Sequence, residues 1–215
     1  MNAIGIFGGT FDPIHIGHLR TCVELREYLQ LEEMHMIPCA RPAHREQPGI
    51  SAIHRLAMLC RAIEGEPGLR ADDRELRRKG LSYTVDTLQE LRHEKGDDCP
   101  LYLCVGMDSL ANLDSWQRWQ ELTAFAHLVV VARPGWQLPK TGPVANWLED
   151  KLAADMPLLK QTPAGLVLIR EMTLLPVSST KLRQDLTAGH SVRYLVPDAA
   201  LDYINQHHLY QKDVP

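Results

Sequence analysis

Gly8-Gly9-Thr10-Phe11-Asp12-Pro13-Ile14-His15-Ile16-Gly17-His18 is the stretch whose reading decides this chain. An apolar run, Ile4 to Phe7, precedes it, and helix-compatible sequence follows from Leu19. A strand, a glycine turn and a helix start form a phosphate cradle, because unpaired amides and the positive end of the helix dipole face the turn. Gly8 and Gly9 are expected to bend the backbone and let a ligand come close. His15 and His18 point the same way from a first helical turn, where two imidazoles hydrogen-bond and partly neutralise phosphate oxygens. Taken alone, a glycine pair after a strand also reads as a plain turn. Paired histidines also read as metal ligands, but no further Cys, His or carboxylate cluster stands nearby in sequence.

The whole chain sets the bounds. Its 215 residues suit one domain with a core and a small appendage. Hydrophobic residues at 45% and charged residues at 23% are ordinary for a water-exposed globular protein. A net charge of −4 argues against wholesale nucleic-acid binding. Cys22, Cys39, Cys60, Cys99 and Cys104 are odd in number and contain no Cys-x-x-Cys pair. With no secretory signal they are expected to be reduced, mostly buried thiols in a cytoplasmic protein. No apolar run approaches membrane length, so no membrane partner is expected.

Outward from the signature, strands and helices alternate. Leu19, Cys22, Val23 and Leu29 recur at helical spacing, and Met34 to Pro38 reads as a second strand. The loop after it, Pro42-Ala43-His44-Arg45, lies where open α/β sheets bind ligands, making Arg45 a phosphate-binding candidate. Ser51 is expected to cap a helix with Ile53, Leu56, Cys60 and Ile63 on one side. A short strand near Leu69 to Ala71 follows, then the mixed charges Asp72 to Lys79, read as a solvated connection. Ser82 starts a helix with Val85, Leu88 and Leu91 inward and Gly96 as its stop. Its opening hydroxyls and amides around Tyr83 and Thr84 either cap the helix or receive a carboxylate.

Leu101 to Val105 reads as a central parallel strand covered on both faces. It ends at Gly106-Met107-Asp108-Ser109, with Asp108 either capping the next helix or accepting hydrogen bonds. Ser115 is expected to cap a helix bearing Trp116, Trp119 and Leu122, in which Trp116 either joins the core or covers a flat ring. His127 to Ala132 is a strand closed by Arg133-Pro134-Gly135. Residues 136 to 165 carry Pro139, Pro143, Pro157 and Pro163 and read as an excursion with a short helix at Asn146 to Ala153. Leu166 to Ile169 resumes strand character. Ser178 is an N-cap candidate, so Ser179 and Thr180 open a helix with Arg183 one turn on. Pro197 to His207, with proline first and Leu201 and Ile204 inward, closes the chain.

This alternation predicts an α/β fold, a doubly wound, mostly parallel Rossmann-like sheet with right-handed crossovers. Residues 1–175 would form the core and residues 176–215 a small helical cap beyond the last strand. The loops after the first and fourth strands would face each other at the switch point.

Residues 8–18 resemble the GG-T-F-D-P-x-H-x-GH signature of the nucleotidyltransferase superfamily, and Ser178-Ser179-Thr180-x-x-Arg183 resembles its second signature. Pro-Ala-His-Arg at 42–45, Ser-Tyr-Thr at 82–84, Gly-x-Asp-Ser at 106–109, Trp116 and Arg-Pro-Gly at 133–135 fall in the order seen in bacterial nicotinate-nucleotide adenylyltransferases. The resemblance covers essentially the whole chain. It implies transfer of the adenylyl group of ATP to nicotinate mononucleotide, giving deamido-NAD and pyrophosphate in NAD biosynthesis, by in-line attack without a covalent enzyme intermediate. It implies His15, His18 and Arg183 as catalytic residues. Gly8, Gly9, Thr10, Phe11, Gly106, Asp108, Arg133, Ser178 and Thr180 would bind ATP. Arg45, Tyr83, Thr84 and Trp116 would bind the nicotinate nucleotide. Mg2+ would enter with ATP and not through a protein-built cage. Alternatives are an adenylyltransferase for nicotinamide mononucleotide or phosphopantetheine, or a non-catalytic nucleotide-binding module. A dinucleotide dehydrogenase is disfavoured, since G-x-G-x-x-G spacing is absent after the first strand. The sequence is compatible with a homo-oligomer without requiring one.

Overall fold

The computed structural model describes residues 3–42, 48–132, 135–173 and 175–211. Six strands, β1 (Ile4–Gly9), β2 (Glu33–Pro38), β3 (Leu69–Ala71), β4 (Leu101–Gly106), β5 (His127–Ala132) and β6 (Val167–Glu171), pair in the order β3-β2-β1-β4-β5-β6. Every pairing is parallel, as the apolar runs of β4 and β5 predict for strands covered on both faces. The order reverses between neighbours β1 and β4, so the doubly wound sheet has its switch point there.

The connections are helical: α1 (Ile16–Leu29), α2 (Ala52–Ala62), α3 (Arg74–Arg77), α4 (Thr84–Lys95), α5 (Met107–Ala111), α6 (Leu122–Phe125), α7 (Pro143–Glu149), α8 (Met156–Leu159), α9 (Ser179–Thr187) and α10 (Asp198–Gln206). Two apolar clusters follow from the two sheet faces. One joins α1, α2 and the C-terminal helices through Cys22, Leu25, Met58, Leu59, Leu182 and Tyr203. The other joins α4, α5 and α7 through Val85, Leu88, Leu110 and Val144. No described helix is long and apolar enough to cross a membrane.

Several local expectations are corrected. The C-terminal helices do not sit beyond the last strand, because α10 returns to pack on α2 and buries Ala200, Tyr203 and Ile204 in the α1 and α2 cluster. Pro197 is the N-cap of α10 and precedes its first position. Ser51 caps α2 as expected, accepting from the His54 amide, but the helix is rotated from the predicted face. Ile53 is 73% exposed and Cys60 is exposed, while Arg55, Met58 and Leu59 point inward. The Arg55 side chain finds backbone carbonyls of other segments, which no apolar periodicity anticipates.

The charged run after β3 is not simply solvated. Asp72 and Arg74 are buried, with the Arg74 Nε donating to Asp72 at 2.8 Å and His35 lying 3.0 Å from the same carboxylate oxygen. Burial raises the Asp72 carboxyl, but hydrogen bonds from His35 and Arg74 outweigh it and hold it well below the usual carboxylate range. The predicted helix of Ser115 to Leu122 is replaced by two 3-10 turns, Leu113–Ser115 and Trp119–Glu121, ahead of α6. In the 136–165 excursion the single predicted helix is two, α7 and α8, starting at or beside Pro143 and Pro157.

Candidate active site

The site lies at the carboxyl ends of β1 and β4. Gly8 and Gly9 do not form the predicted turn; they are the last residues of β1 and pair with Ile37 and Pro38. The reversal is made by Phe11, whose φ of 51° is left-handed. Gly9 is required for another reason: a Cβ there would lie 2.7 Å from the Phe11 ring. Gly8 and Gly106, by contrast, each look onto open space on the strand ends. The Phe11 ring is 1% exposed and packs edge-on against His18, with centroids 5.2 Å apart, so its side chain is not a ligand contact.

His15 is the N-cap of α1 and His18 stands in its first turn. Their rings stack, with centroids 3.6 Å apart and planes inclined by 20°. His15 Nδ1 accepts from the His18 amide at 3.4 Å, which orients the first ring. His18 Nδ1 is buried and has no hydrogen-bond partner among the described residues. Burial lowers the His15 pKa to about 4. Burial, then the His15 charge, lowers that of His18 to about 3. Both rings are therefore neutral at pH 7, each with one N–H to donate. Two positive charges at this separation repel strongly in a dry pocket, so the stack carries at most one added proton.

The α1 start is not the open row of amides predicted. The Ile16 amide donates to the Leu195 carbonyl at 2.9 Å, because the segment after α9 folds back across the helix end, and the His18 amide turns onto the His15 carbonyl at 3.0 Å. Free amides are offered by α9, where Leu182 is the first to bond back, to Ser178 at 3.0 Å. Those of Ser179, Thr180 and Lys181 thus have no partner within the helix. Ser178 occupies the N-cap, but its side chain makes no capping bond and is exposed.

The two signatures meet in space. Ser179 Oγ donates to the Pro13 carbonyl at 3.1 Å, and Arg183 Nη1 donates to the Asp12 carbonyl at 2.8 Å. Arg183 Nη2 reaches Thr180 Oγ1 at 3.4 Å, and its side chain is 38% exposed. These bonds hold the start of α9 and its guanidinium against the Asp12-Pro13 turn that leads into His15 at the α1 start. Arg55, 1% exposed, donates to the carbonyls of Thr10 (2.6 Å), Cys39 (2.6 Å) and Ile50 (3.2 Å). One cation ties the loops after β1 and β2 to α2. Sequence reasoning missed it; its placement three and four residues before Met58 and Leu59 was the available signal.

The model for the cytidylyltransferase-like family matches residues 6–185. Over 97% of this chain and 98% of its own length, the "Probable nicotinate-nucleotide adenylyltransferase" of Cellvibrio japonicus is 50% identical. This chain belongs to the nicotinate-nucleotide adenylyltransferase family. Its counterpart of the same name in Pseudomonas aeruginosa is 46% identical over 97% of each chain. The fold is shared with the Plasmodium falciparum nicotinic acid mononucleotide adenylyltransferase solved in complex with NaAD, at a TM-score of 0.73 and 19% identity, covering 98% of both chains.

Elsewhere in this family member the other assigned residues are placed unequally. Thr84 opens α4 and Tyr83 is its N-cap, in extended conformation and without a side-chain cap. Ser82 does not cap the helix; its Oγ accepts from the Ala40 and Arg41 amides at 3.2 and 3.3 Å, stitching the β2 loop to the α4 start. Trp116 follows a 3-10 turn and, like Tyr83, is half-buried against the α4 cluster. Asp108 is exposed in the first turn of α5, whose N-cap is Gly106, and makes no capping bond. Arg45 and Arg133 lie outside the described residues. Among the described residues, no group of three or more His, Cys, Asp or Glu side chains is arranged to hold a metal ion.

Proposed function

We propose that the protein joins ATP to nicotinate mononucleotide, forming nicotinate adenine dinucleotide and pyrophosphate in NAD biosynthesis. A phosphate oxygen of the mononucleotide attacks the α-phosphorus of ATP, and the bond from that phosphorus to the bridging oxygen of pyrophosphate breaks. The attacking oxygen is already ionised, so neither a protein nucleophile nor a strong base is required. Positioning and stabilisation of phosphate charge are the chemistry left to the protein.

His18 and His15 are assigned to the α-phosphate region, donating N–H groups from neutral rings. Thr10, the open backbone at Gly8 and the strand end at Gly9 border the reacting phosphates. Arg183, Ser178, Thr180 and the free amides of α9 take the β- and γ-phosphates, a mode helix starts favour. Mg2+ enters with the triphosphate as part of the substrate. Gly106 and Asp108 border the adenosine, and Arg133 is assigned to ATP by the order of its motif in the sequence. Thr84 and Tyr83 receive the nicotinate carboxylate, Trp116 covers the pyridine ring, and Arg45 contacts the nucleotide phosphate.

The observation that supports this reading is the bonding of Arg183 and Ser179 on α9 to the Asp12-Pro13 turn, which leads directly into the stacked His15 and His18. Its support in sequence is the near-full-length similarity to proteins named for this reaction. The test is pyrophosphate release from ATP with nicotinate mononucleotide, compared with nicotinamide mononucleotide and phosphopantetheine. Preference for the acid is expected; equal or better turnover of either rival overturns the substrate assignment.

A further inference from the structure

The end of the chain reaches the first signature through one side chain that neither motif contains. Tyr210, 198 residues beyond Asp12 in sequence, donates its hydroxyl to Asp12 Oδ1 at 2.6 Å. Its backbone is left-handed, with φ of 61°, and Thr187 Oγ1 donates to its carbonyl at 3.0 Å. Leu209 beside it is sunk in the α1 and α2 cluster. Burial, then the Asp12 carboxylate, push the Tyr210 hydroxyl well above its ordinary value, so it remains a donor.

Asp12 is 5% exposed, so water satisfies little of its carboxylate. With Oδ1 taken by Tyr210, Oδ2 faces Arg183 Nη1 at 3.8 Å, too long for a hydrogen bond. The guanidinium instead holds the Asp12 carbonyl and turns its outer nitrogen toward Thr180, over a groove of about 570 Å³ lined by Thr180, Arg183, Gln184, Thr187 and Tyr210.

We propose that Tyr210 is a positioning residue for triphosphate binding: by occupying the Asp12 carboxylate it keeps that group from closing onto Arg183, whose guanidinium stays directed at the β- and γ-phosphates. Where those phosphates lie rests on the adenylyltransferase reading above. A buried carboxylate deprived of its hydroxyl partner turns to the nearest cation, because an unmet buried acceptor is costly. An arginine drawn into such a pair has fewer donors in the fork left for phosphate.

Calorimetric binding of Mg·ATP and of AMP to the full chain, without mononucleotide, tests this independently of turnover. Tyr210→Phe is expected to weaken ATP about tenfold, the scale of one charge-assisted hydrogen bond, and to leave AMP nearly unchanged. Adding Asp12→Asn is expected to restore ATP affinity, since a neutral amide does not capture the guanidinium. Unchanged ATP affinity, equal loss for AMP, or further loss in the double variant overturns the proposal. If circular dichroism shows Tyr210→Phe unfolded, Thr187→Val carries the same comparison, with a smaller ATP-selective loss expected and no loss overturning it. Wild-type protein that binds ATP but releases no pyrophosphate with nicotinate mononucleotide counts against the proposed reaction and not against this contact.

Discussion

His18 is stacked on His15 on one side and met by the edge of Phe11 on another, so the ring proposed to meet the reacting phosphate is clamped between an imidazole and a core phenyl. His18→Ala removes a fixed N–H donor from a dry pocket. A fall in kcat on the order of a hundred- to a thousandfold is expected, with the circular dichroism spectrum retained. A rate near that of the wild type would remove His18 from the catalytic assignment.

The same stack makes folding pH-dependent. Both histidines have folded-state pKa values below the ordinary 6.5, at about 4 and about 3. Between pH 6.5 and those values the unfolded chain binds protons that the folded chain excludes, so stability is full above about 6.5 and falls as the solution is acidified. Thermal unfolding between pH 7.5 and 4.5 should show this decline. His18→Phe should flatten it; an unchanged slope would mean the rings are not the source.

Gly9→Ala tests the route from strand to histidine. The added methyl meets the Phe11 ring at 2.7 Å, and that ring has almost no exposed face into which to withdraw. Overpacking of this kind costs about 1–3 kcal/mol, and the displaced ring shifts His18. A drop in Tm with a disproportionate drop in kcat is expected. A lower Tm with normal kcat would show that Phe11 does not position His18.

Arg55→Met keeps bulk but removes the guanidinium donor from the carbonyls of Thr10, Cys39 and Ile50. Hydrogen bonds from a charged donor are worth about 1.5–3 kcal/mol each, so a loss of about 3 kcal/mol or more in urea unfolding is expected. Because the clamp spans the loops after both β1 and β2, KM should rise for both substrates. A rise for one alone would confine its role to one loop.

Trp116→Ala should raise KM for the mononucleotide far more than for ATP. The indole is half-buried against the α4 cluster, leaving a face for a flat ring. Equal effects on both substrates would make it a packing residue.

Much of the sheet was readable because β4 and β5 are uninterrupted apolar runs, and a parallel strand buried on both faces needs no alternation. The α2 face was misread because its inward position 55 is an arginine, polar by type but satisfied by carbonyls from two other loops. The turn at Phe11 was assigned to the neighbouring glycines, since a left-handed phenylalanine follows from close packing around it and not from local preference. Trp116 was placed on a helix because its spacing to Trp119 is helical, whereas the chain there turns twice in 3-10 form.

The linear order of residues by itself determined the alternation of strands and helices, the parallel sheet, and the two signatures with their histidines and arginine, because each is written in local pattern and residue chemistry. Only the tertiary structure decided that α10 crosses back to α2, that Leu195 takes the Ile16 amide at the α1 start, and that Tyr210 reaches Asp12. Those contacts join residues far apart along the chain, and they form only where tertiary packing brings the distant groups together. Local sequence carries no record of that meeting.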